Sequence, residues 1–496
     1  MSCLLSTQSG RPRAVECGWR PARGLRRGPW CVLAGWALFA VGCERPDPAQ
    51  FRLNMVTMTE RGVSTGQQET IAATLVAMFG TPDEPYALPS AGLDLAKLKR
   101  AAGPVEGNVG LYRRHCAHCH GITGDGQGPT APFLNPYPRD YRPGIFKFKS
   151  TAQAAKPTRE DLMRVLDHGI PGTAMPSFLL LSPSEKEDLI EYVIYLAMRG
   201  EIESSLASAV FDMSEPDEET LQAIETEVRA EIKTSGEQLS DREVAGRVQD
   251  QAMTKAIEAD IINPEVLVQG SLVELAEKWS TAPETIVRPD PEIAPSDTRS
   301  TGEVLASVEA GRALFFSERA GCVKCHGRTA LGDGQTNDFD VWNKRIIEFA
   351  KTVVPPPEPE PPQVDSSASA EDRQAAEADH QAALFKFDRD VVLYDVKQRV
   401  LAAELPPRNL HPRNLRHGVY RGGRRPLDIY RKIAVGIEGA LMPASAKKTP
   451  DAKVGLSEQE IWQLVDYVHS LPYEPASRPA EAWSDWQREH MLNPGR

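Results

Sequence analysis

Two five-residue segments constrain this chain more than anything else in it. They are Cys116-Ala-His-Cys119-His120 and Cys322-Val-Lys-Cys325-His326. C-x-x-C-H is the attachment signature of c-type haem. Thiols at i and i+3 match the two vinyl groups of one porphyrin, and the next residue, histidine, lies under the iron as an axial ligand. A zinc site would need four ligands where each segment offers three. A thioredoxin-type C-x-x-C explains neither trailing histidine. The eight cysteines are 3, 17, 31, 43, 116, 119, 322 and 325. The first four precede the body of the protein, so none is left for a structural disulfide.

A second pattern recurs downstream of each motif. His168-Gly-Ile-Pro-Gly172-Thr-Ala-Met175-Pro176 follows the first, and Val435-Gly-Ile-Glu-Gly439-Ala-Leu-Met442-Pro443 follows the second. Both read G-x-x-M-P. A methionine in a loop is usually core filler, but recurrence at equivalent places makes Met175 and Met442 the expected second axial ligands. A thioether favours ferrous iron and raises the reduction potential. Met163 and Met198 lie in helix-patterned segments and Met491 lies near the C-terminus, which makes them weaker candidates. His115, His118, His168 and His417 read as surface or supporting residues.

The repeat extends beyond the ligands. Gly121–Pro129 parallels Gly327–Gln335, Pro138-Arg139 parallels Pro412-Arg413, and Glu160–Asp167 parallels Leu427–Val435. Ser182 with Glu185, and Ser457 with Glu460, have capping-box spacing. Pro183 takes the first helical position. Leu189, Tyr192, Val193 and Leu196 then share one helix face, as do Ile461, Leu464, Val465 and Val468. A helix carrying Tyr112 or Phe316 precedes each motif. These residues resemble the class I cytochrome c family in a tandem dihaem arrangement, over roughly 101–200 and 305–475. The resemblance implies an all-α fold with two small haem domains, each with crossing first and last helices and one covalently attached haem c. It also implies that the Pro129 carbonyl orients His120, with no counterpart proline after Gln335, and that Arg139 and Arg413 meet haem propionates.

Around these units the chain is expected to divide into an export signal at 1–42, a tether with one short helix at 43–100 and an acidic, mostly helical linker at 201–304. The second domain holds an insertion at about 340–405, and a tail occupies 476–496. Residues 1–42 carry six arginines and one acid, followed by the apolar stretch Trp30–Gly42, a secretory pattern. Ala40-Val41-Gly42-Cys43 resembles a bacterial lipobox, which implies lipidation at Cys43 and anchoring at the periplasmic face of the membrane; a soluble periplasmic protein is the alternative. In the tether, Thr65 and Gln68 have capping-box spacing, followed by Ile71, Leu75, Val76 and Phe79. Residues 201–300 carry 23 acids and 8 bases, a net charge of −15, more than the whole chain's −12. Such a balance excludes nucleic acid as a partner. Two or three helices are expected there, packed against the haem domains, then a Pro-rich connector at Pro283–Pro295. The insertion is expected to be mobile, or helical only in pieces. It widens the histidine-to-methionine interval from 55 residues to 116.

An iron with two protein ligands has no position for substrate. The expected function is therefore single-electron transfer by a membrane-anchored dihaem carrier. Its partners are expected among redox proteins such as a quinol-oxidising complex or terminal oxidase. A dihaem peroxidase, or a haem-bearing subunit of a dehydrogenase or oxidase complex, stands as the alternative.

Overall fold

The computed structural model describes residues 49–103, 109–211, 218–240, 243–248, 251, 264–296, 298–335, 337–365, 367, 369–446 and 455–474. The export signal, Cys43 and the 476–496 tail lie outside the described residues. The protein is all-α. Strand-like pairing among the described residues is limited to isolated bridges such as Thr151 with Ile286. No described helix is long and apolar enough to cross a membrane.

The first half is built around one 29-residue helix. In chain order its elements are α1 (Met55–Glu60), α2 (Thr65–Phe79), α3 (Leu95–Ala102), α4 (Leu111–His115), α5 (Ala117–His120), α6 (Arg159–His168) and α7 (Pro183–Phe211). The expected capping box starts α7: Glu185 N–H donates to Ser182 Oγ at 3.3 Å, and Ser182 N–H donates to the Glu185 carboxylate at 2.8 Å. The four apolar residues expected on its face are only part of what it buries. Ile190, Ile194, Tyr195, Ala197 and Met198 are also buried, because α2 and α3 cover its other sides.

Residues 49–100 are therefore not a tether but part of the first core. Ile71, Leu75 and Phe79 of α2 are buried, whereas Val76 faces outward. The box at its start is set by Ser64 with Gln67, one residue before the expected pair. A serine at 64 precedes Thr65 and wins the cap because its side chain reaches the third helical N–H. A buried Arg199–Glu203 pair at 3.0 Å fastens the segment further. Glu203 accepts from Asn54 N–H, and the Arg199 guanidinium covers the Phe51 ring. The helix runs unbroken through residue 200, so the expected domain boundary there falls inside α7.

The linker contributes α8 (Glu218–Ser235) and α9 (Pro264–Ser280). The expected packing on a haem domain holds for α9, whose Leu272 and Leu275 join the first core. Helix α8 packs elsewhere. Leu221, Ile224 and Val228 gather with Val244, Val248 and Phe385 of the insertion in a small separate core. The Pro-rich connector has little regular structure, as expected, but is pinned where Val287 N–H donates to the Ser150 carbonyl at 2.9 Å.

In the second half, α10 (Thr301–Phe316) and α15 (Glu458–Ser470) pack closely against each other. Between them lie α11 (Cys322–His326), α12 (Val341–Lys351), α13 (Ala370–Ala403) and α14 (Pro426–Val435). The buried aromatic of α10 is Phe315, with Phe316 partly buried beside it. The Ser457–Glu460 box opens α15, and its expected apolar face is buried. Ser457→Ala should cost about 1 kcal/mol of second-half stability, read by denaturant titration.

The insertion is helical in two pieces, as expected: α12 and α13 flank a stretch at 353–362 without regular structure. The length of α13 was not expected; it is a single 34-residue helix capped by Ser369 with Asp372. Its sequence lacks an amphipathic stripe, so periodicity could not reveal it. Its alanine-rich start at 370–383 favours helix by propensity, while farther along Val400 is buried with Val56 and Phe349.

The two halves pack against one another. Gln127 donates to Glu404 at 2.7 Å, Tyr137 hydroxyl to the Pro406 carbonyl at 2.9 Å, and Arg164 pairs with Asp428 at 3.3 Å. Lys147 pairs with Asp340 at 2.7 Å, both side chains about one-tenth exposed. Burial pushes the Asp340 carboxyl up, but the Lys147 charge and bonds from Lys147 and Asn343 outweigh it and hold it below 3.8. Burial, then the Arg139 charge, lowers Lys147 to about 8, so the pair remains charged at neutral pH. A depressed carboxylate stabilises above its unfolded pKa and loses that contribution as pH falls through its folded one. Asp340→Asn keeps the oxygen that caps α12. It should lower the melting temperature at neutral pH, and the gap from the parent should close as pH falls below about 4.

Candidate haem-binding sites

In the first half, Cys116, Cys119, His120 and Met175 line one cavity of about 520 Å³. Short helix α5 carries the C-x-x-C-H segment. Its C-terminal residue His120 is buried beneath Tyr141, the two rings stacked with centroids 4.7 Å apart. His120 Nδ1–H donates to the backbone carbonyl of Arg139 at 3.0 Å. That bond fixes the tautomer and leaves Nε2 with the lone pair, as an axial ligand requires. Burial lowers His120 to about 4, against the opposing pull of the Arg139 carbonyl bond, so the ring is neutral.

The carbonyl that orients His120 is thus that of Arg139, not Pro129 as expected. Two bonds fold loop 128–130 back onto the motif: Gly128 N–H to the Cys119 carbonyl at 3.0 Å, and Thr130 N–H to that of His118, also at 3.0 Å. Pro129 stays exposed on that turn. The chain then returns, and Tyr141 N–H donates to the Gly124 carbonyl at 2.8 Å, which sets residue 139 against the ring.

The second half reproduces this frame. His326 Nδ1–H donates to the Arg413 carbonyl at 3.4 Å, supplying the partner that a search for a second proline could not find. Gly126 N–H bonds the His120 carbonyl at 2.9 Å, and Gly332 N–H bonds that of His326 at 2.9 Å. Leu415 N–H donates to the Ala330 carbonyl at 2.9 Å, matching Tyr141 and Gly124. Ala330 even keeps the left-handed backbone, at φ +59°, that Gly124 holds at +76°.

The methionine loops match as closely. Ile170 N–H closes on the Met175 carbonyl at 3.1 Å, and Ile437 N–H on that of Met442 at 3.0 Å. Gly169 and Gly436 enter these loops at φ +63° and +76°, where a Cβ would stand 2.5 and 2.6 Å from those carbonyl oxygens. Only glycine fits such a turn. Met175 and Met442 are partly buried, each against its own half's core.

The donor set suits haem c. Each half offers two thiols, a neutral imidazole with one nitrogen tied, and a thioether in a closed loop. Burial raises Cys116 to about 12 and Cys322 to about 11. That is the reverse of an exchange-active dithiol, which needs a depressed pKa. Among the described residues no three His, Cys, Asp or Glu side chains converge as a bare metal ion would need.

His118, His168 and His417 are exposed, and His115 meets Phe178 edge-on. The guanidinium of Arg139 covers the ring of Trp342, while that of Arg413 lies against Gly172. Trp342, Asp340 and Arg421 of the second half also line the first cavity. Sequence reasoning missed this contribution, since Trp342 belongs to the insertion and has no repeat counterpart.

Residues 108–197 match the Cytochrome c family model. No curated protein matches the chain. Among solved structures, it is similar to a chain of the reducing HAO-like protein complex of Kuenenia stuttgartiensis, at 18% identity and a TM-score of 0.34. That alignment covers 73% of this chain and 93% of the other. Residues 108–197 are thus a cytochrome c domain, the kind of unit that carries covalently bound haem c and moves electrons.

Proposed function

We propose that this chain is a dihaem electron carrier. The first haem c is held by Cys116, Cys119, His120 and Met175, the second by Cys322, Cys325, His326 and Met442. The carrying observation is the second half's repetition of the first site's backbone frame, down to the carbonyl on the axial histidine. Bound haem supplies one reversible electron at its iron. The chain's residues do the rest. His120 and His326 are fixed by the Arg139 and Arg413 carbonyls, the glycine turns present the thioethers, and the cores exclude water. His120 with Met175, and His326 with Met442, would each supply an iron with two protein ligands, so the reading is a carrier and not the alternative peroxidase. Steady-state turnover with peroxide and a reduced donor would reverse that choice.

Export, lipidation at Cys43 and residence at the periplasmic face complete the proposal. Its donors and acceptors are membrane redox proteins such as a quinol-oxidising complex or terminal oxidase, or a dehydrogenase of which it is a subunit. Cys43→Ser should release the protein from the membrane fraction. The deciding experiment is a haem count on purified protein. Two haems per chain are expected, and one would sink the dihaem reading.

A further inference from the structure

We propose that Arg139 and Arg413 couple the two sites crosswise. Each arginine holds its own half's histidine through its backbone and biases the other half's methionine loop through its guanidinium. The inference rests on the reading that both sites carry haem.

Arg413 shows one arm directly. Its carbonyl accepts from His326 at 3.4 Å. Its guanidinium crosses to the first half and lies on Gly172, where a Cβ would stand 2.4 Å from Nη2. Gly172, at φ +72°, comes three residues before Met175. Arg413 Nη2 donates to the Val419 carbonyl at 3.3 Å, while Nε is buried without a hydrogen-bond partner. Arg421 joins it, with Nη2 3.5 Å from the Gly172 carbonyl.

The second arm passes through Trp342. The Arg139 carbonyl accepts from His120 at 3.0 Å, and its guanidinium carbon lies 3.5 Å from the Trp342 ring centroid. The ring's outer edge rests on Gly439, where a Cβ would stand 2.5 Å from Cη2 and Cζ3. Gly439, at φ +71°, comes three residues before Met442. Val341 N–H donates to the Gly439 carbonyl at 3.3 Å and keeps the tryptophan there. The two arms thus follow one plan, from the histidine of one half to the methionine loop of the other.

A guanidinium beside a ligand loop in a poorly solvated interface disfavours the more positive, oxidised centre and so raises its potential. The redox event is unchanged: one electron enters or leaves, with no bond made and no proton moved. The arms differ in strength. Arg139 itself lines the first cavity, is faced by Asp340 and Asp140 and meets the second loop only through Trp342, whereas Arg413 lies directly on the first loop with Arg421 beside it.

The test is spectroelectrochemical titration of the full holoprotein, with the centres assigned in Met175→His and Met442→His backgrounds. Arg413→Gln leaves the backbone carbonyl in place. It should lower the first centre's midpoint by more than the second's, and Arg413→Lys should restore most of that shift. Arg139→Gln should lower the second centre's midpoint by less. If each variant moved only its own half's centre, the coupling would be refuted. A lowered melting temperature with both midpoints unmoved would also refute it, leaving a mere interface clamp. A count of one haem per chain would overturn the dihaem reading itself; two haems with purely local shifts would overturn only the coupling.

Discussion

Met175→Ala should abolish the red-region thioether–iron absorption of the first centre and lower its midpoint, with the second centre unchanged. The loop's shape does not depend on the side chain. Gly169 turns it, Ile170 closes on the Met175 carbonyl, and Thr173 N–H donates to the Ile170 carbonyl at 3.1 Å. All of these are backbone bonds that alanine keeps, so the loop should hold its shape while the substitution removes the thioether together with its packing on the core. A thioether stabilises ferrous iron. A hundredfold loss of that preference reads as about 120 mV, at about 59 mV per tenfold for one electron. Met442→Ala should give the same result at the second centre. Spectra and midpoints that ignore both substitutions would mean that neither sulfur reaches iron.

The largest stability effect is expected at Gly311, where α10 packs against α15. A Cβ there would stand 1.9 Å from the Gln463 carbonyl oxygen and 2.9 Å from Tyr467 Cβ. The first obstacle is backbone in the middle of a helix, so no rotamer change relieves it. Gly311→Ala should therefore force the helices apart and cost about 3 kcal/mol, with valine worse. Gly302 on the same helix is the control, since a Cβ there meets only Ser300 Oγ at 3.9 Å. Alanine at 302 should be neutral or stabilising by up to about 1 kcal/mol. Thermal melts followed at the second centre's absorption would compare the two.

What the sequence disclosed was whatever recurred or obeyed a helix rule. The ligand motifs, both capping boxes on the helices after the methionine loops, and α6 and α14 were all legible, because spacing and caps are local. The Pro-Arg pair was also visible as a repeat, yet its role was assigned to the side chain. Only the three-dimensional return of the chain shows that the Arg139 and Arg413 carbonyls meet the histidines. Helix α2 was found, but its burial was not. That depends on how much of α7 is left uncovered by the first haem unit, a quantity no window of sequence contains. Helix α13 escaped for a different reason: it has no amphipathic stripe, and what it packs against is distant in sequence. Trp342 escaped because it has no twin.

The buried contacts between the halves, Lys147 with Asp340 among them, also bear on timing. Two beads on a loose string must find each other by diffusion, so traffic between them slows as the solvent thickens. Halves clamped along Tyr137, Gln127 and Arg164 have no such search to make. Passage inside this molecule should then be indifferent to glycerol, while delivery to any outside partner is not.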